Sequence, residues 1–202
     1  MSDEAPVKVW DIVVRVFHWS LVLFFTVAYL TGEEETQLHS WSGYVVLGLI
    51  SFRIIWGVIG TRYARFWNFI YSPAHTFAYA RSLFSGQVKH YLGHNPLGGW
   101  MIITLLLFIG FTSWTGLEVE AVDGKGPLAL EFNLIQPAYA HDSHEHEDKE
   151  GGEFWGELHE FFADATVFLV FLHIGGVFFS SRIEGENLAR AMVTGYKQPK
   201  PD

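Results

Sequence analysis

The sequence predicts an all-α integral membrane protein with four spanning helices. Hydrophobic residues make up 50% of the 202-residue chain and are gathered into four long blocks. Each block holds about 20 residues, the length that a helix needs to cross roughly 30 Å of hydrocarbon. The first block is too long for a cleavable signal, contains Arg15 and His18, and lacks a small-residue cleavage site, so we expect it to remain as a helix. The helices are expected at about residues 12–32, 41–60, 97–117 and 157–181.

The charges of the connecting segments predict the orientation of a single membrane domain that spans residues 1–202. Most of the 13 basic residues lie towards the N-terminus, between the second and third blocks, or in the tail 182–202. By the positive-inside rule both termini are cytoplasmic. The acidic, His-rich loop 118–156 is then periplasmic. These features favour a multi-pass membrane protein that is surrounded by membrane lipid.

The composition excludes several classes of function. The chain has no cysteine, which rules out disulfides, iron–sulfur clusters and covalently attached c-type haem. The net charge of −9 gives no sign of nucleic-acid binding, and the negative outer surface favours a basic soluble partner.

Four histidines lie in or at the ends of the predicted helices. Ionisable residues inside a membrane are costly and are usually functional. His18 and His173 match in depth near the cytoplasmic side, and His39 and His159 match near the outer side. His159 and His173 are fourteen residues apart, which gives roughly 21 Å of rise and an angular difference of about 40°. These two side chains therefore point to the same side of the bundle at two levels.

Small residues accompany these histidines. Ala163, Thr166 and Gly176 follow the same side of the fourth helix, and Gly43 comes one turn after His39. A row of small residues leaves room for a flat, rigid group, and haem is held between helices by two axial imidazoles. We therefore expect two haem b groups, one held by the pair His39–His159 and one by the pair His18–His173. Their irons would lie roughly 20 Å apart.

Two arginines are candidates for binding haem propionates. Arg53 lies at the depth of the inner histidine pair, and Arg15 lies one turn from His18. A guanidinium at such a depth requires an anion. The alternative is that each side chain extends to the cytoplasmic headgroups.

Other histidines give weaker indications. The run HDSHEHED at residues 141–148 has ligands for a divalent metal, but its composition is typical of a solvated linker. His75, His90 and His94 lie on the predicted cytoplasmic side, where each is either an interfacial residue or a group that helps to bind or protonate a quinone.

With these residues identified, the sequence resembles the bacterial di-haem cytochrome b family. This family includes the small quinone-linked cytochromes of the "b five-sixty-one" type and the cytochrome b subunit of nickel–iron hydrogenases. The matching pieces are VWDIVVRVFHW, LHSWSGYVVLGLISFRIIWG, GHNPLGG, LHEFFADATVFLVFLHIGGV and NLARAMVTGYK, in that order. The resemblance implies a four-helix bundle with two b haems bound at His18, His39, His159 and His173, and electron exchange with quinone.

The predicted function is transmembrane electron transfer between a periplasmic redox partner and the membrane quinone pool. The partner would be a c-type cytochrome or a dehydrogenase or hydrogenase subunit. Three alternatives remain open at this stage: the membrane anchor of a nickel–iron hydrogenase, a superoxide:quinone oxidoreductase, and, more remotely, a divalent-metal transporter. The last would place acidic residues deep in the helices, and only Asp164 is near such a position.

Overall fold

The computed structural model describes residues 5–32, 37–85, 89–129 and 144–198, with the side chains of 84–85 and 144–150 excepted. Within these ranges the chain forms helices joined by short segments, a 3₁₀ turn at Phe66–Asn68, and one small antiparallel sheet. In chain order the elements are β1 (Val7–Lys8), α1 (Ile12–Leu30), α2 (Gln37–Ile59), α3 (Pro73–Ser85), α4 (Pro96–Val122), α5 (His144–Glu184), α6 (Leu188–Thr194) and β2 (Tyr196–Lys197). The side chains of the run at 141–148 lie outside the described part of the chain.

The prediction of four membrane helices is confirmed. α1, α2, α4 and the part of α5 at Gly151–Glu184 are long and apolar enough to cross a membrane. Large apolar side chains cover their outer surfaces; Phe171 of α5, for example, is 70% exposed. Such a surface is stable in lipid and unfavourable in water.

Several helices extend beyond their predicted ends. α4 continues to Val122, and α5 begins at His144, so residues 118–122 and 144–156 of the predicted loop 118–156 are helical. The tail predicted at 182–202 contains α6 and β2, and α3 lies in the segment between the second and third apolar blocks. Hydropathy detects only the part of a helix that lies in hydrocarbon, whereas Glu, Lys and Ala continue helices in water as well.

Local sequence explains where the helices begin. The Asp11 carboxylate accepts a hydrogen bond from the backbone N–H of Val14 at 2.8 Å, which caps α1. Asn95 caps α4 in the same way through Gly98 N–H at 2.8 Å, with Pro96 at the first helical position. These side chains satisfy backbone donors that have no partner within the helix.

The four long helices pack as two facing pairs. α1 packs on α2, and α4 packs on α5, while α2 and α4 join the two pairs. Phe17, Val46, Ile50 and Ile109 form the apolar centre of this contact. Each pair carries two of the four predicted haem ligands, so the arrangement brings the histidines of α1 and α2 opposite those of α5.

Both chain ends meet at one end of the bundle, which we call the terminal face (residues 5–11, 60–72, 89–95 and 184–198). β1 pairs with β2, and the N–H groups of Val9 and Trp10 donate to the carbonyl of Gly195. Gly195 has a φ of 91°, a left-handed conformation that suits glycine after a helix.

Lys197 is the buried charge that holds the terminal face together. Its Nζ lies 3.3 Å from a Glu184 oxygen and 3.5 Å from a Glu186 oxygen, and it donates to the carbonyl of Tyr91 at 3.1 Å. The lysine and Glu184 side chains are only 2% and 5% exposed. Removing one partner of such a buried pair leaves an uncompensated charge.

We expect Lys197→Met to destabilise the fold by about 3–5 kcal/mol, because two carboxylates would lose their buried cation. Thermal unfolding in detergent measures this change. The control is Lys125→Met, since Lys125 pairs with Asp123 on the exposed surface and should matter little. Equal melting temperatures for the two variants would contradict a structural role for the buried pair.

Candidate haem-binding site

The outer pair, His39 of α2 and His159 of α5, forms a facing arrangement across the bundle. The ring centroids are 5.9 Å apart, and the ring planes are nearly perpendicular, at 88°. Two imidazoles that bind one metal ion from opposite sides have centroids roughly 6 Å apart, because each metal–nitrogen bond is about 2 Å long. The spacing of this pair therefore fits an iron with two axial histidines.

Hydrogen bonds orient both rings of the outer pair. His39 Nδ1 lies 2.9 Å from the carbonyl of Ala28, and His159 Nδ1 lies 2.9 Å from the carbonyl of Thr112. A carbonyl can only accept, so each ring donates from Nδ1 and keeps its lone pair on Nε2. Metal-binding histidines are commonly oriented by such a bond.

The surroundings of His159 restrict its movement further. Thr115 Oγ1 lies 3.2 Å from His159 Nδ1. A Cβ atom added to Gly116 would lie 3.0 Å from Cε1 of the imidazole. The ring thus occupies a slot on α4 that is tight for any side chain larger than that of glycine at position 116.

The inner pair, His18 of α1 and His173 of α5, joins the same two sides of the bundle. The two imidazoles lie near enough to interact electrostatically, and both are partly buried. His18 packs edge-on against Trp19, and its buried Nδ1 has no hydrogen-bond partner. The structure thus brings together all four histidines in the two predicted combinations.

Several of the glycines in these helices border open space. A Cβ atom at Gly43, Gly48, Gly110 or Gly176 would meet nothing within 4 Å. Gly43 follows His39 by one turn, and Gly176 follows His173 by three residues. Space of this kind beside the imidazoles would admit a flat macrocycle, and the role of these glycines beside a haem stays a prediction.

One part of the predicted row of small residues has a different role. Thr166 is fully buried, donates to the carbonyl of Phe162, and lies 3.2 Å from the Thr112 hydroxyl of α4. It therefore belongs to the contact between α4 and α5 and not to the open space beside the histidines. Residues that are small enough to border a cofactor are also those that allow two membrane helices to pack closely, and spacing alone does not separate these roles.

Arg53 places a positive charge inside the bundle. The residue is 3% exposed, its guanidinium lies over the Phe66 ring at 4.9 Å, and Nη2 donates to the carbonyl of Ala64 at 3.1 Å. Nη1 is buried without a hydrogen-bond partner. Arg53 thus has an unsatisfied donor, as expected of a residue that binds an anion.

Arg15 makes a different contact from the one that its sequence position suggested. Its guanidinium donates to the carbonyl of Val193, at the end of α6, while Nε is buried without a partner. This bond connects α1 to the C-terminal segment. Arg15 therefore has a structural role, and its role in binding a haem propionate stays a prediction.

His94 is more enclosed than its position in the sequence predicted. Its ring lies between Trp10 and Phe69, with centroid distances of 4.5 and 4.6 Å. Burial, and then the charges of Arg53, Lys197 and His173, lower the pKa of His94 to about 3. The available signal in the sequence was its position directly before Asn95, the residue that caps α4.

Of the other two histidines of the predicted cytoplasmic side, His75 lies in α3 and His90 in the terminal face. His75 is exposed and pairs with the Tyr91 hydroxyl at 2.9 Å. His90 lies 3.9 Å from Glu186, next to the carboxylates that Lys197 contacts. The Lys197 ammonium already compensates one of the two carboxylate charges without a metal ion.

Comparisons with known proteins place this arrangement in a family. A relative in Rhodobacter capsulatus, described as a probable Ni/Fe-hydrogenase B-type cytochrome subunit, is 24% identical over 98% of this chain and 81% of its own length. No solved structure matches the chain significantly. The family model described as prokaryotic cytochrome b561 matches residues 9–195. Since that match covers nearly the whole chain, the protein belongs to the prokaryotic cytochrome b561 family and is a membrane b-type cytochrome of electron transport.

Proposed function

We propose that this protein carries electrons across a bacterial inner membrane, between a periplasmic redox partner and the quinone pool, through two b haems. His39 and His159 would bind the outer haem, and His18 and His173 the inner haem. The observation that carries the proposal is the outer pair, whose rings are 5.9 Å apart with both Nδ1 atoms bonded to helix carbonyls.

The chain's own residues have three tasks in this function. The carbonyls of Ala28 and Thr112 hold the imidazoles in one tautomer, so that Nε2 is the nitrogen presented for binding. The apolar helix faces exclude water, and the fourteen-residue step along α5 sets the two levels roughly 21 Å apart. Haem iron, when bound, supplies reversible one-electron transfer.

The orientation follows from the charges of the described segments. The terminal face would be cytoplasmic, because it carries Arg62, Arg65, Arg190 and Lys197. The opposite end of the bundle carries the acidic residues Glu118, Glu120, Asp123, Glu153 and Glu157. A negative outer end supports docking of a basic soluble partner and argues against collection of superoxide.

The similarity to a hydrogenase cytochrome subunit favours a nickel–iron hydrogenase as the redox partner. The chain would then anchor the hydrogenase at the periplasmic surface and pass its electrons to quinone. The transporter alternative has little support, since Asp164 lies exposed on the surface of α5 and not beside a histidine pair.

The central experiment measures haem per chain in purified protein by pyridine haemochrome. We expect two haems in the wild type and about one in His173→Ala, because a haem that loses one of two axial ligands is bound much more weakly. The matched control is His75→Ala, which alters an exposed histidine of α3 and should retain both haems. Wild-type protein without haem, or His173→Ala with full haem content, would contradict the proposal.

A second prediction concerns the slot that holds His159. In Gly116→Ala the new methyl group would press on an imidazole that two hydrogen bonds keep in place, so we expect loss or altered absorption of one haem only. Gly175→Ala is the control, because position 175 is exposed and a Cβ there meets nothing within 4 Å. Reduced-minus-oxidised spectra resolve the effect, and two unperturbed haems in Gly116→Ala would rule out this role for the slot.

The partner can be tested in membranes of the native organism. If the chain serves a hydrogenase, addition of hydrogen gas should reduce its b haems, and His159→Ala should abolish electron transfer from hydrogen to quinone. Haems that stay oxidised under hydrogen, yet are reduced by another periplasmic donor, would favour the version with a c-type cytochrome or a different dehydrogenase.

A further inference from the structure

Three ionisable residues from separate parts of the chain converge at the inner haem level, and one of them, His173, belongs to the inner histidine pair. Arg53 comes from α2, His94 from the segment before α4, and His173 from α5. The Arg53 guanidinium lies 4.9 Å from the centroid of the Phe66 ring, and Phe66 packs against Phe69, whose ring contacts that of His94 at 4.6 Å. The charges of Arg53 and His173 also act on His94, and that of His173 acts on His18. The region is therefore continuous with the proposed inner haem site.

The charge of Arg53 has no ion-pair partner among the described residues. The carboxylate that influences it is that of Asp11, whose Oδ2 already accepts hydrogen bonds from Trp56 and Thr61 and whose Oδ1 caps α1. A buried guanidinium without an anion is strongly unfavourable. Arg53 Nη1 is therefore available to an anionic group that a bound molecule supplies.

His94 supplies a second polar group near Arg53, a neutral imidazole. Its ring is fixed between Trp10 and Phe69 and has a buried Nδ1 without a partner. The residue as a whole is half-buried. Nδ1 is therefore available to a hydrogen-bond acceptor that a bound group supplies.

We propose that Arg53 and His94 together bind one carboxylate, a propionate of the inner haem, with His94 donating a hydrogen bond and Arg53 supplying the positive charge. This inference rests on the function proposed above. Haem b carries two such carboxylates, and charge-assisted hydrogen bonds are the strongest way to hold them. A neutral imidazole donor adds a hydrogen bond next to Arg53 without placing a second positive charge beside it.

The proposal is tested by potentiometric titration of the haems in purified holoprotein, with His94→Phe and His75→Phe as the matched pair. Phenylalanine keeps the packing between Trp10 and Phe69 but cannot donate. The carboxylate would then carry more negative charge near the iron, which favours the ferric state, so the midpoint potential of one haem should fall. That haem should be the one missing from His173→Ala, and it should also transfer to apomyoglobin about tenfold faster.

Two further variants keep the test decisive if His94→Phe does not accumulate. His94→Gln retains a neutral donor and should shift the potential less than His94→Phe, while Arg53→Gln removes the charge and should lower the potential of the same haem. Unchanged potentials in His94→Phe or Arg53→Gln, or a shift confined to the outer haem, would overturn the inference. Wild-type protein without haem would instead overturn the proposed function itself, so the two failures are distinguishable.

Discussion

The contact between α4 and α5 around Thr112 is the interaction on which the proposed outer site depends. The Thr112 carbonyl fixes the imidazole of His159, and the Thr112 hydroxyl meets that of the fully buried Thr166. Helices in lipid gain little from burying apolar surface against each other, so close packing and hydrogen bonds between small residues determine how they associate. The same residues that join the two helices therefore also orient a ligand.

Buried charge is concentrated at the opposite end of the bundle. Lys197 contacts two carboxylates, whereas Arg53 has no ion-pair partner among the described residues and Nδ1 of the neutral His94 has no hydrogen-bond partner. A membrane protein tolerates buried charge only where a partner compensates it. Lys197 and its carboxylates thus stabilise the fold, whereas the site at Arg53 and His94 would be completed by a bound carboxylate.

The sequence predicted the features that depend on hydropathy and on helical geometry. Four blocks of apolar residues led to four membrane helices, and depth alone grouped His39 with His159 and His18 with His173, which the structure brings together. The helical parts of the loop 118–156 were missed because polar helices leave no hydropathy signal. The inward position of His94 and the contact of Thr166 with α4 arise from tertiary packing, which a periodic pattern does not encode.

The most direct test of the central claim is the low-temperature EPR spectrum of the oxidised, purified protein. If the four histidines bind two haems in pairs, all ferric iron should be low-spin, because each iron has two axial imidazoles and no open position. The nearly perpendicular rings of His39 and His159 further predict a strongly anisotropic signal for the outer haem. A substantial high-spin ferric signal in intact protein would contradict the account, since it would show that at least one haem lacks the second histidine.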